Sequence, residues 1–266
     1  MKSPQEIGYE KELPKITIIT VVFNGRAFIE STILSVIGQT YVNLEYIVID
    51  GGSTDGTIDV IKKYENRIDY WHSENDAGIY DAMNKGLVKA TGRWVNFMNA
   101  GDTFHTPDTI AEVFATRKQT ATVIYGAVEI VYPDLVRIQA PGSLERLWQG
   151  MQFSHQATFI DAAYHQEHPF DISNKIAADL AFFYQAYKDK VAFCITDKVI
   201  ARVITGGISE SNRIKTILAS RDAVCGERFQ PIIQLYFYWK IISSMLRALG
   251  KRWLPKAVVK KLILMK

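Results

Sequence analysis

The chain has 266 residues, 48% of them hydrophobic, with 31 Lys or Arg against 28 Asp or Glu. That length suits one large α/β domain, or one domain with an appendage, and the composition is that of a folded protein. The net charge of +3 is unevenly spread, because Pro231 to Lys266 carries eight Lys or Arg and no acid, leaving 23 basic against 28 acidic residues elsewhere; this argues against a nucleic-acid binder and for an acidic body with a surface-seeking end.

Met1 to Lys15 is polar and of mixed charge, neither a signal peptide nor a spanning helix, and residues 1–14 read as an extension. Ile16 to Phe23 (ITIITVVF) is a continuous β-branched run, the pattern of a strand buried on both faces. Ile29, Ile33, Val36 and Ile37 recur with helical period, Tyr46 to Ile49 forms a second buried strand, Thr57 to Tyr64 a short helix and Ile68 to Trp71 a third strand. Ile79, Met83 and Leu87 mark a helix ending near Gly92, followed by a strand at Trp94 to Met98. Thr106-Pro107 predicts a helix start with Thr as cap, and Ala121 to Tyr132 a further strand. Beyond it come strands near Ala157–Ile160 and Ala192–Val203 and a helix over Ile176–Lys188. Strands alternating with helices predict a mixed, mainly parallel sheet flanked by helices, with ligands at the carboxyl ends of its strands. Cys194 and Cys225 have no metal-ligand spacing and are expected to be reduced thiols.

Polar clusters stand at the expected strand ends. The first is Asn24, followed by Asp50-Gly-Gly-Ser-Thr-Asp-Gly-Thr57. Its glycines permit tight turns and close ligand approach, and Asp50 can accept hydrogen bonds from a base or ribose; the competing reading is a plain turn capped by Asp55. Neither G-x-G-x-x-G nor a phosphate loop ending in Gly-Lys-Ser/Thr is present. In Asn99-Ala-Gly-Asp102 the carboxylate can hold a hard cation together with diphosphate oxygens, or cap a turn. Asp179, among apolar neighbours, is expected to be a partly buried carboxylate whose raised pKa suits a general base, or else a solvated charge at a helix start. His155 is a pocket residue or a structural hydrogen-bonder. The carboxylates of Ser73 to Asp81 bind sugar hydroxyls or cap the next helix.

In order and spacing these clusters resemble the family 2 glycosyltransferases of GT-A fold, over about Lys15 to Ser211. The resembling pieces are Thr20 to Asn24 (TVVFN), Asp50 to Thr57, Asn75 to Gly86 (NDAGIYDAMNKG), Asn96 to Asp102 (NFMNAGD), Ser154 to Phe159 (SHQATF), Asp179 and Gly206 to Ser209. The likeness is greatest to the branch that builds bacterial O-antigen, capsule and exopolysaccharide. It implies an inverting transferase: Val22, Asn24, Asp50, Gly52, Asp81 and Gly101 around the nucleotide, Asp102 on Mg²⁺ or Mn²⁺, Asp179 as catalytic base and His155 beside it. It also implies a nucleotide-sugar donor, UDP or GDP sugar first among them, and a saccharide or lipid-linked saccharide acceptor. Residues 15–212 would be the catalytic domain, with a nucleotide-binding half over 15–102 and an acceptor half over 103–212. Two positions depart from the family pattern: Asn99 and Gly101 replace acids, so a metal would rest chiefly on Asp102, and Gly51 stands where a second acid often follows Asp50. The paired Gly206-Gly207 suggests a loop that closes over the donor.

Residues 213–266 read as basic amphipathic helices. Leu235, Trp239, Ile242, Leu246 and Leu249 share one face, with Lys240, Arg247 and Lys251 between them, and Leu254, Val258 and Leu262 continue a second stripe. Charges interrupt every run short of the ~20 residues a spanning helix needs. The expectation is peripheral contact with the inner, cytoplasmic face of the plasma membrane; a pair packed on the domain or a dimer interface are the alternatives. Rival functions are a nucleotidyltransferase, which would carry a Gly-rich basic loop where only Asn24-Gly25-Arg26 stands, and a non-catalytic sugar-nucleotide binder serving a polysaccharide assembly complex.

Overall fold

The computed structural model describes residues 13–115, 120–205, 213–226 and 230–251. The elements run β1 (Ile16–Val22), α1 (Ile29–Ile37), β2 (Leu44–Asp50), α2 (Thr57–Lys63), β3 (Tyr70–Ser73), α3 (Ile79–Lys89), β4 (Trp94–Phe97), β5 (Thr103–Phe104) and α4 (Thr109–Phe114). They continue as β6 (Val123–Tyr132), β7 (Leu135–Gln139), β8 (Thr158–Asp161), α5 (Ala162–Glu167), α6 (Ala178–Lys188), β9 (Phe193–Ile204), α7 (Arg213–Cys225) and α8 (Pro231–Lys251). The sheet order is β3-β2-β1-β4-β8-β6-β9-β5, with β7 hairpinned onto β6.

The parallel character is concentrated in the first half, where β1 pairs with β2 and β4, and β2 with β3. In the second half β6 runs parallel to β9, but the contacts of β8 with β4 and β6, of β7 with β6 and of β5 with β9 are antiparallel. The unbroken apolar runs of β1 and β2 follow from their place inside the sheet. Ile16 and Ile18 pack with α1, α2 and α4 on one face, while Ile19 and Val21 pack with α3 and α6 on the other. Alternate residues of a strand point to opposite faces, so a strand covered twice has no polar side.

Element boundaries differ from expectation in one instructive place. The helix expected from Thr106 begins at Thr109, after Asp108. Thr106 instead donates its N–H to Thr109 Oγ1 at 2.9 Å, and Pro107 and Thr106 offer their carbonyls to the Thr40 N–H and the Gln39 amide, so this turn serves as a bracket to the end of α1. Both cysteines are free. Residues 1–12, the Gly206–Gly207 loop and the stripe at Leu254, Val258 and Leu262 lie outside the described residues, as do the side chains of Arg247, Leu249 and Lys251.

Helix α7 packs against α6, burying Ile217 and Val224, and α8 packs against α7 and the short helical turn Leu144–Gln149. Phe237 and Ser244, on one face of α8, are buried, whereas Leu235, Trp239, Ile242 and Leu246 are each more than half exposed. One face of this helix thus packs on the domain, while the predicted apolar stripe faces out.

Candidate functional site

The parallel register sets Val22 opposite Asp50, so the loops after β1 and β2 leave the same sheet edge together. They are stapled to each other. Asn24 turns the chain with φ 48°, donates its N–H to Ser53 Oγ at 2.7 Å and accepts from Thr54 N–H through Oδ1 at 2.9 Å. Asp55 accepts from the Arg26 and Thr57 N–H groups at 3.0 Å, so it holds the loops and opens α2, as its turn reading expects. Asp50 is fully buried, and its Oδ2 accepts from Gly52 N–H at 3.1 Å, Ser53 N–H at 2.9 Å and Ser73 Oγ at 2.6 Å. Its Oδ1 has no partner, an uncommon state for a buried oxygen and one that a ligand N–H would relieve. The paired glycines are required here: a Cβ on Gly51 would run into the Asp76 carboxylate, and one on Gly52, at φ +83°, into the Asn75 amide. The start of the α3 loop therefore lies directly against the Asp50 turn.

The Asn99–Asp102 turn follows β4 along the same edge. Ala100 N–H donates to Val21 O at 3.2 Å, and Thr32 of α1 locks the turn by accepting from Gly101 N–H at 2.9 Å and donating to Asp102 O at 2.8 Å. The Asp102 carboxylate is buried and accepts from Gln156 Nε2 at 2.7 Å. Burial pushes its pKa up to about 6, against the smaller opposing pulls of Gln156, His155 and the Ile204 backbone.

Asp179 opens α6 and reaches back to this turn through His155. One carboxylate oxygen meets His155 Nδ1 at 3.2 Å, and the far ring nitrogen, Nε2, lies 3.0 Å from Asn99 Nδ2. The second oxygen accepts from Tyr80 OH at 2.9 Å and from Leu180 N–H at 2.8 Å. A consistent proton arrangement has the His155 Nδ1–H donating to Asp179 and the Asn99 amide donating to Nε2. Burial alone would raise the Asp179 pKa, but the His155 contact and the donors around the carboxylate outweigh it and hold the group below the usual carboxylate range. This corrects the expected direction: the carboxylate is ionised at neutral pH because it is fixed by donors.

The structure thus joins Asn99, His155, Asp179 and Tyr80 in one hydrogen-bonded chain, with the Asp102–Gln156 pair on the same two segments and Asp50 two strands along the same edge. Val22 and Gly101 sit in the backbone of this edge. Asp81 stands apart: its carboxylate accepts from Ala77 N–H at 2.9 Å and pairs with Lys85 at 3.3 Å, bracing the start of α3. Gln156, Tyr80 and Ser73 lie within segments the sequence marks, but their roles as partners are not legible there, since each depends on a contact more than twenty residues away. A cavity of about 530 Å³ opens beside Asp179 and His155.

Among the described residues no group of three His, Cys, Asp or Glu could hold a metal by itself. The donors present do fit a cation carried largely by phosphate oxygens: Mg²⁺ characteristically takes one or two protein carboxylates, Asp102 supplies one, and the buried, unpartnered Oδ1 of Asn99 is a second oxygen on the same turn.

Comparison with known proteins gives the family and the fold. Residues 17–181 match the family model described as "Glycosyl transferase family 2". An uncharacterized glycosyltransferase of Mycobacterium tuberculosis is 34% identical over 180 residues, spanning 65% of this chain and 69% of the relative. A PGL/p-HBAD biosynthesis glycosyltransferase of Mycobacterium bovis is 30% identical over 182 residues, 66% of this chain and 71% of that one. TuaG of Bacillus subtilis, named for teichuronic acid biosynthesis, is 39% identical over 92 residues, 34% of this chain and 36% of its own. Among solved structures, S. aureus TarS 1–349 in complex with UDP-GlcNAc superposes with a TM-score of 0.63 at 18% identity, covering 81% of this chain and 68% of TarS 1–349. The mannosyltransferase PcManGT of Pyrobaculum calidifontis, in complex with GDP-Man and Mn²⁺, gives 0.64 at 16% identity, covering 86% of this chain and 69% of its own. The fold is GT-A.

Proposed function

Because the chain belongs to glycosyl transferase family 2, we propose that it moves a sugar from a nucleoside-diphosphate donor to a saccharide hydroxyl, with inversion, in bacterial surface polysaccharide biosynthesis. The observation that carries this reading is the hydrogen-bonded chain from Asn99 through His155 to Asp179, with the Asp102–Gln156 pair on the same two segments, at the sheet edge where Asp50 waits with an unpartnered oxygen. Asp50 and the Gly51-Gly52 turn receive the nucleoside. Asp102, with the Asn99 oxygen, would hold Mg²⁺ or Mn²⁺, which supplies charge neutralisation for the departing diphosphate. Asp179 takes the proton of the acceptor hydroxyl as that oxygen bonds to the anomeric carbon and the bond to the nucleoside diphosphate breaks. Tyr80 and His155 hold the carboxylate in place on its two oxygens. The sugar donors in the TarS and PcManGT complexes, UDP-GlcNAc and GDP-Man, support a UDP or GDP sugar here.

Thermal-shift titration with UDP, GDP, CMP and dTDP, each with Mn²⁺, followed by donor hydrolysis with Mn²⁺ or chelator, tests this. One nucleotide should raise the melting temperature, and its sugar conjugates should be hydrolysed only with metal. Nucleotide binding without turnover of any conjugate would point to a non-catalytic binder, the reading favoured by Asn99 standing where the family places an acid. No response to any nucleotide would sink both.

The acceptor is read as lipid-linked, with the protein at the cytoplasmic face of the membrane. Support comes from α8, whose exposed stripe of Leu235, Trp239, Ile242 and Leu246 lies in the segment that holds eight cations and no acid. No helix among the described residues is long and apolar enough to cross a bilayer. Flotation with vesicles rich in phosphatidylglycerol should be lost in a Leu235→Glu/Trp239→Glu variant of unchanged melting temperature; undiminished flotation of that variant removes the stripe from any membrane role.

A further inference from the structure

Asn84 stands on α3 inside the Asn75–Gly86 segment and has no part in the chemistry described above. It follows Tyr80 by four residues, a spacing that puts both on one side of the helix. Its amide is turned onto a single residue far along the chain: Nδ2 donates to Phe170 O at 2.8 Å, and Oδ1 accepts from Phe170 N–H at 3.0 Å. Phe170 is buried and lies between α5 and α6, outside both, so its backbone groups need a partner that no helix or sheet ladder supplies. A carboxamide carries a donor and an acceptor side by side, which an acid or an aliphatic side chain of similar size does not.

The clamped residue meets Tyr80. The Phe170 and Tyr80 rings lie 5.3 Å apart at 54°, and Phe170 is backed by His165 at 4.6 Å and Phe182 at 5.7 Å. Asn84 thus fixes the backbone of Phe170, and the Phe170 ring fixes one face of Tyr80.

The setting of the Tyr80 ring matters because its hydroxyl has two acceptors and one proton. Asp179 Oδ1 lies at 2.9 Å and Ile176 O at 3.1 Å. A small tilt of the ring decides whether the carboxylate keeps this donor or loses it to the carbonyl. Against the upward push of burial, His155 and Tyr80 are among the contacts that hold the Asp179 carboxyl low. They are also the titratable groups that touch it, with Lys240 lining the cavity beside it.

We propose that Asn84 is a positioning residue for the transfer reaction, acting through Phe170 to aim the Tyr80 hydroxyl at Asp179. The inference rests on the reading of Asp179 as the base. It adds a control of that base from α3, on the carboxylate oxygen that His155 does not touch.

The test uses the full chain carrying Asn84→Ala, Tyr80→Phe or both. Carboxyl-carbon NMR of protein labelled at aspartate, with the Asp179 signal identified by its loss in Asp179→Asn, reads the carboxylate without substrate. Its titration midpoint should rise in each single variant and rise no further in the double variant than in Tyr80→Phe, an order that a merely structural role for Asn84 would not produce. Donor hydrolysis with Mn²⁺ should follow the same order: kcat ~10-fold lower in each single variant, the scale of one hydrogen bond to a charged group, and no lower in the double variant, with KM for the donor unchanged. Phe170→Leu keeps the backbone clamp and removes the ring, so it should match Asn84→Ala in both readouts, and it takes that variant's place if Asn84→Ala does not fold. A midpoint that stays at the parent's value in Asn84→Ala and Phe170→Leu, or single effects that multiply in the double variant, would overturn the inference. Failure of the base reading shows differently: Asp179→Asn would keep the parent's turnover while the NMR order held, and Asn84 would then set a carboxylate that the reaction does not use.

Discussion

Asp179→Asn should lower turnover ~10²–10⁴-fold, the usual worth of a positioned general base, while nucleotide affinity stays within a factor of about two. The separation is expected from the geometry. Asp179 lies on α6, whereas the proposed nucleoside end of the site is built from Asp50 and the stapled loops after β1 and β2. Asparagine is nearly isosteric and can still accept from Tyr80 OH and Leu180 N–H, so the fold should tolerate it. His155→Ala supplies an independent check on the same group. With the imidazole gone, burial remains as the largest influence and the Asp179 pKa rises. A base must be ionised to act, so the acid limb of the turnover profile should move to higher pH in that variant. The stability attached to Asp179 has the matching sign. A carboxylate whose folded pKa lies below its unfolded value contributes stability above the unfolded value and loses it as pH falls through the folded one. Unchanged turnover in purified Asp179→Asn would remove the carboxylate from the chemistry, and an unmoved acid limb in His155→Ala would remove its proposed control.

The first half of this molecule is legible in its sequence because its contacts are short-ranged in topology. A parallel β-α-β pattern forces strand ends to one edge, so Asn24, Asp50 and Asn99 to Asp102 come together once the strands are recognised. The second half is less legible. Nothing in the run from Tyr132 to Gln156 announces that β6 and β7 form a hairpin, or that Gln156 reaches Asp102 across 54 residues. The direction of the Asp179 shift was equally hidden, since apolar neighbours in sequence indicate burial but not the three donors that fold onto the carboxylate. In α8 the sequence shows two faces by periodicity and charge. It does not show that the inner one, through Tyr236 and Lys240, closes the cavity beside Asp179.

Asp102→Asn should make the metal-free protein more stable at pH 8 and much less active, a combination that follows from the burial of that carboxylate. In the folded chain its pKa stands at about 6 against 3.8 for an ordinary aspartate. The unfolded chain therefore releases this proton first as pH rises, and the folded state loses stability from about pH 4 until its own carboxylate ionises near pH 6, with no further change from this group above that. The shift corresponds to roughly 3 kcal/mol carried by the folded, ionised form at pH 8, as an order of magnitude. Asparagine keeps an oxygen for the Gln156 amide and removes the buried charge, so with chelator present the variant should melt several degrees higher at pH 8 and show no advantage at pH 4. Adding Mn²⁺ with the cognate nucleotide should narrow that gap, because ligand bound only to the folded parent offsets the cost of its ionised carboxylate. Turnover should fall ~10²-fold or more, since neutralisation of the departing diphosphate would then lack its protein carboxylate. Melting curves at pH 4 and pH 8, set beside donor hydrolysis, read both effects in one preparation. A variant with the parent's pH dependence of melting would mean that Asp102 is not a strained carboxylate, and one with the parent's turnover would mean that no cation depends on it.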